Sequence, residues 1–256
     1  MHGHSLSDRL RAISDELVRA RATGNALPGP PAGLPESLDD AYLIQDRSIG
    51  CWRDDVRGWK VGGVPAAYAD RYDEKYLSGP IFASGVQMAN GSGPVAMPVF
   101  VGGFAAIEPE FVVMIGETEQ QDRLFIGAEI ASSPIPDIND YGPCAVISDF
   151  GNNNGLLVGS EIPDWRTLAE PVRVTTFIDG EKIAAKDVSG FPGPALEALA
   201  FLRALAAKRG YDLPAGTYVS TGAITGVHEA AVGAQSVLDF GDLGSIELEL
   251  VGVERK

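Results

Sequence analysis

The sequence predicts an α+β protein built on a rolled or sandwiched mixed β-sheet. Helical periodicity is confined to two segments before residue 55 and one later segment, 194–209. The remaining apolar stretches read as strands, several of them alternating apolar with polar or small residues. Gly (31) and Pro (17) fall between these runs rather than in tracts, which suits many strands and turns and not a disordered chain.

From Ser5 to about Gly24, Leu6, Leu10, Ile13, Leu17 and Val18 recur at three- and four-residue steps, the spacing of an amphipathic helix. Ser5 or Ser7 is the candidate cap and Gly24 the stop. Ala26–Pro35 (ALPGPPAGLP) must be irregular, because proline removes backbone donors. A second helix is expected over Leu38–Asp54, capped by Ser37, with Ala41, Ile44, Gln45, Ser48 and Ile49 on one side. Val56–Gly63 (VRGWKVGG) reads as a short strand ending in a Gly turn. Further strands are expected at Ile81–Phe82, Val95–Phe100, Ile107–Ile115, Leu124–Ile130, Asn154–Gly159, Val172–Ile178 and Ser245–Val253. Pro194–Arg209 interrupts them as a helix whose buried stripe reads Leu196, Leu199, Ala200, Leu202 and Leu205, with Gly210 as its stop. The expected division is a small N-terminal helical α/β region, residues 1–75, and a larger strand-rich part, residues 76–256.

The 256-residue chain is long enough for a large core, and its net charge is −15 with only 20 Lys+Arg. Such a surface repels phosphate backbones and no basic run interrupts it, which argues against nucleic-acid binding. It also slows an anionic substrate unless a metal or a local cation reverses the potential in the pocket. Cys51 and Cys144 make no disulfide framework and no C-x-x-C pair, so a reducing, cytoplasmic setting is expected. The first ten residues (MHGHSLSDRL) lack the apolar core of a signal peptide, and no run approaches membrane-spanning length. His2 and His4 read as part of a frayed terminus rather than as ligands.

The strongest local feature is Ile107-Glu108-Pro109-Glu110-Phe111-Val112-Val113-Met114-Ile115. Carboxylates two residues apart on a strand share a face. The unbroken apolar run after them implies a strand covered on both sides, where two buried acids need a partner and a hard divalent cation supplies one. The alternative is that both sit at the wet end of the strand and bind nothing. Glu129, in Leu124-Phe125-Ile126-Gly127-Ala128-Glu129-Ile130, is either an isolated structural carboxylate or a third oxygen ligand from a neighbouring strand. Three carboxylates completed by water suit Mg2+ or Mn2+, and no Cys or His stands nearby in sequence to favour zinc.

Lys60, between Trp59 and Val61, is either a lysine snorkelling to the surface or a cation that binds a substrate carboxylate or moves a proton. Asp149-Phe150-Gly151-Asn152-Asn153-Asn154-Gly155 is a polar turn whose amides suit a small polar ligand, although Asn runs also favour turns for backbone reasons alone. Val219-Ser220-Thr221-Gly222-Ala223-Ile224-Thr225-Gly226 lets backbone N–H groups approach an anion. No Ser-His-Asp arrangement, phosphate loop or dinucleotide fingerprint is present.

Taken in order, these segments resemble the hydratase/decarboxylase branch of the fumarylacetoacetate hydrolase superfamily. The residues that carry the resemblance are Ala41–Gln45, GWKVG at 58–62, IEPEFVVMIG at 107–116, GAEI at 127–130, DFGNNNGLLVG at 149–159, VSTGAITG at 219–226 and DFGDLGSIELEL at 239–250. The resemblance implies an N-terminal α/β region ahead of a mixed β-roll that holds the site, and a homo-oligomer. It further implies Mg2+ or Mn2+ on Glu108, Glu110 and Glu129, with Lys60 at the substrate and Asn152, Asn153, Ser220 and Thr221 lining the pocket. The chain differs from typical hydratases in three places. Gly116–Arg123 is a short turn where they carry a longer helical segment. Ala131-Ser132-Ser133-Pro134 replaces an Asp-Ser-Arg-like sequence, and Asn152 and Asn153 stand where serines are frequent.

The implied activity is hydration of a 2-hydroxy-2,4-dienoate to a 4-hydroxy-2-oxo acid, in the degradation of aromatic compounds, with Lys60 and Glu108 as the catalytic pair. Decarboxylation of a 2-oxo-3-enedioate is the alternative. A non-catalytic subunit that associates with a related decarboxylase or hydratase is a third reading. Carbon–carbon bond hydrolysis is disfavoured, because hydrolytic relatives use a histidine of an N-terminal lid and this chain has only His2 and His4 there.

Overall fold

The computed structural model describes residues 7–254 apart from 92, 169–170 and 191; His2, His4, Ser5 and Leu6 lie outside the described residues. Helix α1 spans Asp8–Thr23; the Ser7 hydroxyl accepts from the Leu10 amide and Gly24 ends the helix in the left-handed region. Helix α2 spans Leu38–Cys51 behind the Ser37 cap and stops three residues short of the expected end, where Trp52 turns extended.

The strands follow as β1 (Val56–Gly63), β2 (Tyr76–Phe82), β3 (Val86–Met88), β4 (Val95–Val99), β5 (Phe104–Met114) and β6 (Arg123–Ser133). A short helix, α3 (Pro143–Ser148), leads into β7 (Asn153–Glu161). The chain continues through β8 (Val172–Ile178), β9 (Glu181–Val188), α4 (Gly193–Arg209), β10 (Tyr218–Ser220), β11 (His228–Glu229), β12 (Gln235–Asp239) and β13 (Ser245–Gly252). The larger sheet has the order β2-β1-β10-β5-β6-β7-β3, with β11 also on β5; the smaller has the order β4-β13-β12-β8-β9. Both are mixed: β1–β10, β3–β7 and β4–β13 are parallel pairs among antiparallel ones. The expected α+β architecture with a mixed β-roll is therefore what the chain adopts. Residue 75, the expected boundary, falls between β1 and β2, which are hydrogen-bonded neighbours.

Alternate residues of the large sheet serve two cores. Trp59, Val61, Ile107, Phe111 and Val113 face the small sheet and α4, and pack on Leu199, Leu202, Leu238 and Leu248. Leu77, Phe104, Ala106 and Ala131 face the helices and pack on Leu10, Leu17, Ile44 and Ile147. With both faces covered, β5 and β6 need no polar alternation, which is why their sequences run apolar. The polar exceptions on the helix-side face mark the site.

Two expectations are corrected. In α4 the buried row is Ala195, Ala198, Leu199, Leu202 and Ala206, and Leu196 is 41% exposed. Small alanines let the helix sit close to the sheet, so volume set its rotation and not the leucine count. The strands β3, β9, β10, β11 and β12 are not among the expected ones; β9 (EKIAAKDV) is an exposed edge strand whose pairing with β8 overrides its composition. No helix among the described residues is long and apolar enough to cross a membrane. Cys51 is exposed and Cys144 buried, and both are free.

Candidate metal centre

The short β5–β6 turn fixes an antiparallel register in which Glu108 stands directly opposite Glu129. Glu110, two residues on, shares their face. All three side chains are buried, and one oxygen from each lies within 4.8 Å of the others. Ser220 Oγ and the Gly222 amide (2.9 Å) both donate to Glu110 Oε2. Asn153 Nδ2 donates to Glu129 Oε1 at 3.1 Å. Glu110 Oε1 and Glu129 Oε2 are buried and accept nothing.

Lys60, on β1, reaches the group from the other side, its Nζ 3.4 Å from Glu129 Oε1. The side chain is buried because Trp59 and Val61 on either side of it enter the inter-sheet core. Burial works against the ammonium, but Glu129, Glu108 and Glu110 outweigh it and hold its pKa above the ordinary lysine value. Burial pushes Glu108 up to about 8, with repulsion from Glu129 adding to it and Lys60 opposing. Glu110 is driven well above the carboxylate range by burial and then by Glu129 and Glu108, against the bonds from Ser220 and Gly222. One lysine thus faces three carboxylates, and two carboxylate oxygens lack donors. That all-oxygen donor set fits a hard divalent cation such as Mg2+ or Mn2+.

Asn152 joins from the loop before β7. Phe150, Gly151 and Asn152 all have positive φ (55°, 69° and 63°), a left-handed run that two non-glycine residues adopt only when their surroundings impose it. Part of the imposition is contact with β2, since a Cβ on Gly79 would lie 2.1 Å from the Phe150 carbonyl oxygen. The turn delivers Asn152 to the cavity with its Oδ1 buried and unpartnered. Gly79→Ala is accordingly expected to cost about 1–3 kcal/mol or more, as overpacking against backbone does. Urea unfolding measures it, and an unchanged midpoint would refute the tight contact.

Lys60, Glu108 and Asn152 line a cavity of about 330 Å³, together with Leu77, Val146 and Val227 among others. The structure therefore brings together Lys60, Glu108, Glu110, Glu129, Asn152, Asn153 and Ser220. Asn153 and Ser220 touch carboxylates of the group rather than the cavity. Thr221 stands apart: its hydroxyl donates to the Phe111 carbonyl at 2.8 Å, and the residue lines a neighbouring cavity.

Sequence reasoning missed the support beneath the Asn loop. Arg21 of α1 is buried and donates to both carboxylate oxygens of Asp149 (2.6 and 2.8 Å), to the Asn153 carbonyl (3.0 Å) and to the Ser132 carbonyl (3.1 Å). The signal was present: Arg21 continues the buried row Leu10, Ser14, Leu17, so a charge sat in register with an apolar stripe.

This sheet-and-helix arrangement is a fold shared with solved structures of fumarylacetoacetate hydrolase-type proteins. No family model matches the sequence, and no curated protein matches it. Among solved structures, 4-oxalocrotonate decarboxylase from Pseudomonas putida G7, complexed with magnesium and adipate, superposes with a TM-score of 0.77 at 19% identity over 97% of this chain and 100% of that one. Fumarylpyruvate hydrolase from Pseudomonas aeruginosa, in complex with Mn2+ and pyruvate, gives 0.55 at 19% identity over 78% and 91%. The 2-hydroxyhepta-2,4-diene-1,7-dioate isomerase from Mycobacterium marinum gives 0.52 at 14% identity over 78% and 77%. At these identities the likeness establishes the fold, and the chemistry rests on the residues of this chain.

Proposed function

We propose that this protein is a divalent-metal-dependent lyase that adds water to a 2-hydroxy-2,4-dienoate, giving a 4-hydroxy-2-oxo acid. The observation that carries the reading is the buried Glu108/Glu110/Glu129 group with Lys60 against it, Glu108 and Lys60 lining a cavity. The fold neighbours that hold magnesium with adipate, or Mn2+ with pyruvate, support it. Glu108, Glu110 and Glu129 would hold Mg2+ or Mn2+, which when bound supplies Lewis-acid polarisation to a 2-oxo acid.

The chain's own residues do the rest. The Lys60 ammonium, kept charged by its carboxylate neighbours, binds the substrate carboxylate and passes a proton at Nζ from the 2-hydroxyl to C5 as the dienol becomes the conjugated 2-oxo-3-enoate. Asn152 Oδ1, unpartnered and facing the cavity, accepts from the incoming water. Glu108 takes the proton that water loses as its oxygen bonds to C4 and the C3=C4 electron pair moves towards the 2-oxo oxygen, and that proton is returned at C3 as the 2-oxo group re-forms. Ser220, Gly222 and Asn153 keep the acids oriented.

The test is turnover of 2-hydroxypenta-2,4-dienoate with Mg2+ or Mn2+, followed by loss of dienol absorbance and appearance of 4-hydroxy-2-oxopentanoate. EDTA is expected to abolish it, and Lys60→Met to reduce it by about 10²–10⁴-fold while leaving Mn2+ binding intact. Full turnover in stripped, EDTA-treated protein would end the metal reading. A second reading, decarboxylation of a 2-oxo-3-enedioate, is favoured by the 0.77 superposition on a decarboxylase, and carbon dioxide release identifies it. A protein with no tight divalent site and no turnover on any dienoate would instead be a non-catalytic subunit.

A further inference from the structure

Resting on that reading of the site, the geometry points to a more specific substrate: a 2-oxo acid with a single carboxylate and an apolar tail longer than the five-carbon core. The cavity is chemically divided. Its polar lining residues are Lys60, Glu108, Asn152 and Asn139. Its other walls include Leu77, Val146, Val227, Pro65 and Pro143, and among the described residues that line it Lys60 is the one cation. Lys60, 3.4 Å from Glu129, is the cation that the proposed function already gives to the carboxylate beside the 2-oxo group. A second carboxylate at the far end of a substrate would meet side chains that offer it no positive charge, inside a protein of net charge −15.

Size argues the same way. The cavity measures about 330 Å³, the liquid volume of roughly eleven water molecules. A five-carbon 2-oxo acid has eight non-hydrogen atoms and leaves part of it unfilled. Leu77 and Val146 form buried wall, whereas Val227 stands at 48% exposure, a large apolar side chain left in solvent on the cavity's lining. An apolar tail packed against Leu77 and Val146 would also cover Val227. Each methylene it buries is worth roughly a fourfold gain in affinity.

The experiment is a binding series by calorimetry on the full chain with saturating Mg2+, using pyruvate, 2-oxopentanoate, 2-oxoheptanoate, 2-oxooctanoate and the dioate 2-oxoheptanedioate. Affinity is expected to rise about threefold to fourfold per methylene at first and to level off as the cavity fills. The dioate is expected to bind at least about tenfold more weakly than the monoacid of equal length. Val227→Lys, a substitution at an exposed position, is expected to flatten the series and to narrow the dioate deficit to about threefold. If pyruvate binds but the series is flat, or the dioate binds as well as the monoacid, the tail inference is overturned and the 2-oxo acid reading stands. If no member binds with Mg2+ present, both fail. A Val227→Lys protein with the full wild-type gradient removes Val227 from the tail site and overturns that assignment.

Discussion

Replacing Glu110 with Gln is expected to weaken Mg2+ or Mn2+ binding by at least about 100-fold, and to leave the metal-free protein as stable as the wild type or more stable. The first effect exceeds what losing an outer-shell partner costs, because Glu110 contributes an unpartnered oxygen of its own to the group. The second follows from the charge balance. Glutamine keeps an acceptor for Ser220 and Gly222, and its amide N–H groups face the carboxylates where a carboxylate oxygen stood before. A residue whose removal stabilises the empty fold while destroying cation binding is what a binding site and not a structural network predicts.

The pH dependence has a definite sign. Glu108 binds its proton more tightly in the folded protein, with a pKa of about 8, than at the ordinary glutamate value of 4.5. The metal-free fold therefore has its full advantage from this group below about pH 4.5 and loses it as pH rises towards 8, by up to about 1.4 kcal/mol per pH unit. Thermal melts of metal-free wild type should fall across that window, and saturating Mg2+ should oppose the fall. Electron paramagnetic resonance titration with Mn2+ gives the affinities. Wild-type Mn2+ affinity in Glu110→Gln, or metal-free melts that rise with pH, would contradict the assignment.

How much of this site could be read from the chain depends on how local each contact is. Glu108 and Glu110 share a strand face by two-residue spacing alone, whereas the sequence leaves Glu129 open between a structural carboxylate and a third ligand until the hairpin register sets it opposite Glu108. A hairpin with a turn as short as Gly116–Arg123 has little freedom of register, so residue 108 falls opposite 129. The turn that departs from the longer segment of typical hydratases is thus the element that places the third acid. Lys60 is different. Its approach depends on β1 pairing in parallel with β10, more than 150 residues away, and no local pattern encodes that. The left-handed run at Phe150–Asn152 was also illegible, since phenylalanine does not advertise a positive φ and the surroundings impose it. The rotation of α4 failed for a related reason: leucine spacing gives an apolar stripe, whereas the depth of the groove it enters belongs to the partner.

Arg21→Met is expected to destabilise the fold by about 3–5 kcal/mol, the cost of leaving a buried carboxylate without its counter-charge. Asp149 would keep only the Ser133 hydroxyl, which donates to Oδ2 at 2.5 Å, and the Asn152 backbone arrangement that begins at its carbonyl. The consequence for the site is separable from the loss of stability. Arg21 also donates to the Asn153 carbonyl and, at 3.3 Å, to Asn154 Oδ1, so it clamps the start of β7 where Asn153 holds Glu129. Under conditions where the variant is folded, Mn2+ affinity is therefore expected to fall by about 10–100-fold, the usual cost of losing an outer-shell support. Asp149→Asn should show the same pair of effects, smaller in stability because its amide still offers Arg21 an acceptor. Combining Arg21→Met with Asp149→Leu removes both charges at once and should cost clearly less than the two single changes added together, since neither charge is then buried alone. Urea unfolding of the wild type, the two single variants and the double variant closes the cycle. An Arg21→Met protein within about 1 kcal/mol of wild type, or fully additive changes, would mean that the pair does not hold α1 against the Asn loop.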